Sequence, residues 1–132
     1  VVGVHDGDSI TVLTANKHRI KVRLDGIDAP ELGQAFGRRA KEALSKMVFG
    51  KYVDIELRSK DRFGRTVARV YLNGRCINLE IVQAGMAWHF LKYSKDKNLQ
   101  RAENEARANK IGLWGQGLPI APWYWRKTKT IK

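Results

Sequence analysis

A small α+β domain, a closed five-stranded antiparallel barrel with three packed α-helices, is the fold class predicted by three observations on this chain of 132 residues. Apolar residues alternate along much of its first half, helical spacing replaces alternation in three stretches, and the pair Asn73-Gly74 marks a tight hairpin. The length is that of one domain able to bury roughly two-thirds of its unfolded surface.

Ile10, Val12, Ile20, Val22 and Leu24 share a parity. They predict two strands joined at Ala15-Asn16-Lys17-His18, with Val12 opposite Val22 and Ile10 opposite Leu24. Phe36, Ala40, Ala43, Leu44, Met47 and Val48 recur at helical spacing before Gly50, a helix over residues 35–49. Val53, Ile55 and Leu57 share a parity, and TVARVYL forms a hairpin closed by Asn73-Gly74. Asn78 to Gln83, ahead of Gly85, reads as a short helix, and Leu99, Ala102 and Ala106 as the buried stripe of a third helix opening near Asp96. Strands first, with helices between and after them, point to the OB-type solution to exposed sheet edges. Residues 1–122 are expected to form this single domain, and 123–132, WYWRKTKTIK, a basic aromatic tail.

Lys and Arg number 25 against 13 acids, a formal charge of +12 and a pI near 10.1. Such a balance attracts polyanions, with nucleic acid favoured over a membrane because no apolar run approaches the roughly 18 residues of a span. Cys76 stands alone, which excludes an internal disulfide and a thiolate metal cluster. The chain opens Val1-Val2-Gly3 with neither initiator Met nor apolar leader, as expected of a mature secreted form or a trimmed one. His5, His18 and His89 lack partners at metal-ligand spacing and read as surface or packing residues. Trp88, Trp114, Trp123 and Trp125 read as core and tail packing, and Arg126, Lys127, Lys129 and Lys132 as a frayed, solvated tail.

Five of the 13 acids, Asp6, Asp8, Asp25, Asp28 and Glu31, fall within HDGDS and VRLDGIDAPE. Carboxylates about 4 Å apart repel by roughly 1 kcal/mol in water and roughly 4 kcal/mol near a protein surface, so the cluster calls for a cation: a metal ion, an arginine, or both. In the expected hairpin Asp8 lies opposite Gly26 and diagonal to Asp28, while Pro30 holds Ala29 extended with its carbonyl presented. Two carboxylates and a carbonyl are an all-oxygen set suited to Ca²⁺ completed by water. Strict alternation puts Arg23 on the opposite face, and only a bulge or a strand end would bring its guanidinium to the acids.

HDGDSI, VRLDGIDAPE, DRFGRTVARVYLNG and, after a helix, GLW stand in the order and approximate spacing of the staphylococcal nuclease family, which nearly the whole chain resembles. The resemblance implies an OB-fold barrel with three helices and a monomeric, Ca²⁺-dependent phosphodiesterase that cuts DNA and RNA to 3′-phosphate and 5′-hydroxyl ends, in a secreted or periplasmic setting. Position by position, it makes Asp8 and Asp28 the calcium carboxylates, with the Ala29 carbonyl a third ligand. Arg23 and Arg65 become the phosphate-binding arginines, Glu31 the acid that orients or deprotonates the attacking water, and Tyr93 and Arg62 substrate contacts. Such chemistry needs these residue types, because hydrolysis builds negative charge on the phosphoryl oxygens and an arginine fork stays charged while contacting two of them.

The chain departs from the family pattern in several places. Ser9 and Ala29 stand where threonines are usual, Phe63 where a tyrosine is common, and Leu91 where one of two tyrosines is often seen; the stretch from Glu31 to Phe36 is short. The competing readings are solvated surface positions for Arg23 and Arg65, a helix-start acid for Glu31, and, for the whole chain, a catalytically inactive module that binds nucleic acid or protein on the same fold.

Overall fold

The computed structural model of the protein describes residues 1–130. In chain order its strands are β1 (Gly3–Asp6), β2 (Ser9–Leu13), β3 (Arg19–Leu24), β4 (Ile27–Asp28), β5 (Asp54–Lys60), β6 (Thr66–Leu72), β7 (Arg75–Cys76) and β8 (Trp88–His89). The helices are α1 (Gly37–Val48), α2 (Ile77–Gln83), α3 (Lys97–Ala108) and α4 (Pro122–Thr130), with a 3-10 turn at Gly112–Gly115.

The sheet is mixed, which corrects the expectation of a closed five-stranded antiparallel barrel. Its hydrogen-bonded order is β1-β2-β3-β6-β5, with β7 on β6, and β4 and β8 form a separate two-stranded ribbon. Neighbours are antiparallel except β3 and β6, which run parallel with Arg23 opposite Val67. The chain passes through α1 and β5 between them, and a connection of that length is what a parallel pair requires.

Register is a second correction. Ile10 pairs with Val22 and Val12 with Ile20, two residues away from the expected pairing but with the same parity, so the apolar face is unchanged. The cause is a tighter turn: the Thr14 amide donates to the His18 carbonyl at 2.9 Å, and Lys17, at φ 63°, takes the left-handed position of a three-residue hairpin loop. Asp8 therefore faces Leu24, whose amide donates to the Asp8 carbonyl at 2.8 Å, instead of Gly26.

Ile10, Val22 and Leu24 meet Ala40, Leu44 and Val48 of α1, Ile77 and Ile81 of α2 and Leu99 of α3 in one core. Each fully buried aliphatic there contributes roughly 1.5–3 kcal/mol. Asp96 caps α3, accepting from the Asn98 and Leu99 amides at 2.8 and 3.3 Å. Val53 and Ile55 pack on the core, but Leu57, in regular register with Ala68 and the last such pair before a bulge at Arg58, is 61% exposed.

The fourth α-helix replaces the expected frayed tail. Pro122 opens it at the position where proline loses no helical hydrogen bond. Trp123 lies against a second cluster built on Trp88, Leu113, Trp114 and Ala121, and stacks on Phe90 with centroids 5.4 Å apart and planes at 5°. This aromatic seat holds α4 beside β4. Lys132 and the side chain of Lys129 lie outside the described residues.

Candidate active site

Two backbone devices bring the acids together. Gly7, between β1 and β2, sits where a β-carbon would come within 2.7 Å of both Ala29 and Ala40, so only glycine lets this turn close over β4 and α1. Gly37, at the start of α1, lies so close to the Glu31 carbonyl that a β-carbon would overlap it. The Glu31 loop is thus laid directly on the helix. Gln34 fastens it further, its side-chain oxygen accepting from the Glu31 amide at 3.2 Å and its amide nitrogen donating to the Ile120 carbonyl just ahead of α4.

Asp8 and Asp28 are 5% and 1% exposed. Asp8 Oδ2 accepts from the Ala29 amide at 2.7 Å and Oδ1 from the Ser9 hydroxyl at 3.3 Å. Arg23 bridges the two acids, Nη1 lying 3.3 Å from Asp8 Oδ2 and Nη2 3.4 Å from Asp28 Oδ1, while Nη1 also donates to the Leu24 carbonyl at 3.0 Å. A strand end supplies the reach that strict alternation denied: β3 stops at Leu24, Gly26 turns the chain at φ 80°, and β4 returns beside the Arg23 side chain.

A second guanidinium completes the cluster. Arg126 of α4 donates from Nη2 to Asp28 Oδ2 at 2.6 Å and from Nη1 to Asp28 Oδ1 at 3.2 Å, with Nη1 also 3.4 Å from Glu31 Oε1. The fork matches the carboxylate edge and bridges to the neighbouring acid. Burial raises Asp28 above the usual carboxylate range, a push that the Arg126 hydrogen bond opposes without cancelling. Asp6 is pushed up to about 7, first by burial and then by the neighbouring Asp8 charge. Asp25 lies apart from this group, paired with Arg69, which also reaches Asp96.

Other site candidates are placed elsewhere. Arg65, in the β5–β6 turn, donates from Nε to Asp61 Oδ2 at 2.7 Å, and the described contacts do not join it to Asp8 or Asp28. Alternation along β6 puts it on the face of Val67, the partner of Arg23. Burial would raise Asp61, but hydrogen bonds from Arg65 and the Phe63 amide outweigh that and hold it below the usual range. Arg62 lies over the Phe63 ring at 5.2 Å. Tyr93, 68% exposed, meets Phe90 edge-on at 4.9 Å, and Phe90 in turn stacks on Trp123. His89 is a packing residue, buried with its ring nitrogens against Gln100 and Ser94.

As a metal centre the donor chemistry fits a hard cation: two buried carboxylates, backbone carbonyls and a third acid nearby, all oxygen. Among the described residues no group of three or more acid, His or Cys side chains is gathered in metal-holding geometry, and Arg23 and Arg126 carry the positive charge. Ala29 is buried, and its amide, not its carbonyl, makes the described contact with Asp8.

Sequence reasoning missed Arg126, which lies 98 residues from Asp28, and Gln34, a neutral side chain three residues after Glu31. The usable signal was the uncompensated acid cluster, which called for an arginine or a metal, together with a proline-opened aromatic segment ending in Arg126.

Comparison with known proteins gives the family of the chain. The family described as "Staphylococcal nuclease homologue" matches residues 21–116. The chain is 47% identical over 131 residues to an "Uncharacterized endonuclease" of Haemophilus influenzae, covering 99% of this chain and 74% of that protein. It is 41% identical over 130 residues to an "Uncharacterized endonuclease" of Escherichia coli, covering 98% and 84%. Against "Staphylococcal-like nuclease CAN1" of Arabidopsis thaliana it is 40% identical over 111 residues, covering 84% of this chain but only 34% of the plant protein. With a family match over residues 21–116, from within β3 to the 3-10 turn, and two relatives similar over almost its whole length, the chain belongs to the staphylococcal nuclease homologue family.

Proposed function

We propose that the chain is a nuclease that hydrolyses phosphodiesters of DNA and RNA with Ca²⁺ as its cofactor, leaving 3′-phosphate and 5′-hydroxyl ends and working as a monomer. The observation that carries this reading is Arg23 held between two buried carboxylates, Asp8 and Asp28, with Glu31 joined to the same group through Arg126. A cation-binding acid pair beside a fixed guanidinium is the charge arrangement that phosphoryl hydrolysis needs. The names of its relatives, endonucleases and staphylococcal-like nucleases, support the same class.

Asp8, Asp28 and the Ala29 carbonyl would hold the metal, which when bound supplies positive charge at the phosphoryl oxygens and at the water it polarises. Arg23, fixed at the end of β3, presents its fork to phosphoryl oxygens and stays charged at every working pH. Glu31, about one-third exposed on the loop over α1, accepts a proton from the attacking water. Arg65 would leave Asp61 to contact the phosphate from the β5–β6 turn. Arg62 and Tyr93 contact the substrate outside the reacting group.

A catalytically inactive nucleic-acid or protein binding module is the second reading, and the Arg126 contact with both Asp28 oxygens favours it in so far as that closure is permanent. Digestion of DNA and of RNA with Ca²⁺, with Mg²⁺ and with chelator separates the two. The nuclease reading expects cleavage of both polymers with Ca²⁺, weak cleavage with Mg²⁺ and 3′-phosphate product ends; binding without cleavage under every condition establishes the module.

A further inference from the structure

We propose that Arg126 sets the metal affinity of the carboxylate cluster by occupying it, so that a divalent cation and the Arg126 guanidinium compete for Asp28; this rests on the metal-dependent reading of the same site. Asp28 is 1% exposed, so water does not neutralise it, and each of its oxygens carries an arginine. Oδ2 holds Arg126 Nη2 at 2.6 Å, while Oδ1 holds Arg126 Nη1 at 3.2 Å and Arg23 Nη2 at 3.4 Å. A metal ion approaching either oxygen meets a guanidinium already seated there and is repelled by its charge.

Burial decides which guanidinium leaves. The Arg23 side chain is 15% exposed and its Nη1 is tied to the Leu24 carbonyl at the end of β3. Arg126 is 39% exposed and its described partners are the two acids alone. It also sits on α4, past the Trp123 seat, so its side chain can swing out while the helix start stays docked on Phe90 and Trp88. Arg126 reaches Glu31 as well, so its departure frees the proposed proton acceptor together with the proposed metal ligand. In this arrangement the α4 residue is a specificity-determining part of the site: it tunes how much divalent cation is needed before Asp28 and Glu31 become available.

The test is calorimetric Ca²⁺ titration of the whole chain as wild type, Arg126→Ala, Arg126→Lys and Arg101→Ala, the last removing the same charge from an exposed position of α3. Arg126→Ala is expected to bind Ca²⁺ about tenfold or more tightly than wild type, the scale of a lost two-oxygen charge-assisted contact. Arg126→Lys should fall between them, since lysine keeps the charge without the fork, and Arg101→Ala should stay within about twofold of wild type. Equal or weaker Ca²⁺ binding by Arg126→Ala, or the same gain from Arg101→Ala, overturns the competition and leaves the metal reading standing. Absence of Ca²⁺ binding in all four proteins overturns both.

Discussion

Arg126 and Asp28, 98 residues apart in sequence, meet through both oxygens of a buried carboxylate at 2.6 and 3.2 Å. The contact ties the C-terminal helix to the acid cluster of the first strands. It also explains how four acids share a small space: Arg23 and Arg126 lie among Asp8, Asp28 and Glu31, while Asp6 is left next to Asp8 and pushed up to about 7 by burial and then by that neighbour. Arg126 in turn is raised above its ordinary value, chiefly by its hydrogen bond to Asp28, and stays charged.

Arg23→Lys tests whether the fork matters beyond its charge. A lysine reaches one oxygen at a time, so turnover should fall by several orders of magnitude, by analogy with the roughly 10³ to 10⁵ attributed to arginines acting on phosphoryl groups, while the fold survives. Arg65→Ala should lower kcat as well, although its resting partner is Asp61. Steady-state kinetics with far-UV circular dichroism checks both; wild-type turnover in Arg23→Lys would make Arg23 a counter-ion of the acids and nothing more.

Glu31→Gln keeps the shape of the side chain and removes its basicity. We expect kcat to drop by about 10² to 10⁴ with nucleotide affinity nearly unchanged. A large loss of affinity at constant kcat, measured by separate binding and turnover assays, would assign Glu31 to binding.

Tyr93→Ala should weaken binding of short oligonucleotides by about 1–3 kcal/mol, the range for one lost base-aromatic stack. Long DNA should notice less, because its affinity comes mainly from phosphate contacts with a +12 chain and falls steeply with salt. Fluorescence anisotropy at two salt concentrations is the measurement, and identical short-oligonucleotide affinities would remove Tyr93 from the substrate path.

Asp96 carries a pH-dependent share of stability. Burial would raise it, but hydrogen bonds from Arg69 and the Asn98 and Leu99 amides outweigh that and hold it below its ordinary value. A depressed folded value means that its stabilisation is complete above the unfolded value near 3.9 and is lost as pH falls through the folded one. Asp96→Asn keeps a cap acceptor and loses the ion pair. It should destabilise the protein by about 1 kcal/mol at neutral pH and by much less at about pH 2, read by urea unfolding. A difference constant with pH would assign the effect to cap geometry.

Much of this was legible locally. The α1 stripe, the Asp96 cap and the Asn73-Gly74 turn, with φ 51° and 80°, follow from spacing and residue type within a few positions. What failed depended on distant parts of the chain or on a single residue's backbone. Lys17 in a left-handed conformation shifted the first hairpin by two, a place more often given to Gly or Asn. The parallel β3–β6 pair and the Arg126 contact join segments tens of residues apart, which periodicity does not encode. For Arg23, alternation gave the face and the strand end gave the site, and only the second put its guanidinium between Asp8 and Asp28.

On the proposed reading, Asp8, Asp28, Arg23 and Glu31 together form a metal-dependent phosphodiesterase centre. The most direct measurement is the single-turnover cleavage rate of an end-labelled oligonucleotide by wild type and Asp28→Asn, each with Ca²⁺ and with excess chelator. Rapid cleavage by wild type only when Ca²⁺ is present, with Asp28→Asn slow in both conditions, is the expected result. Cleavage that persists at the wild-type rate in chelator, or in Asp28→Asn, would contradict it.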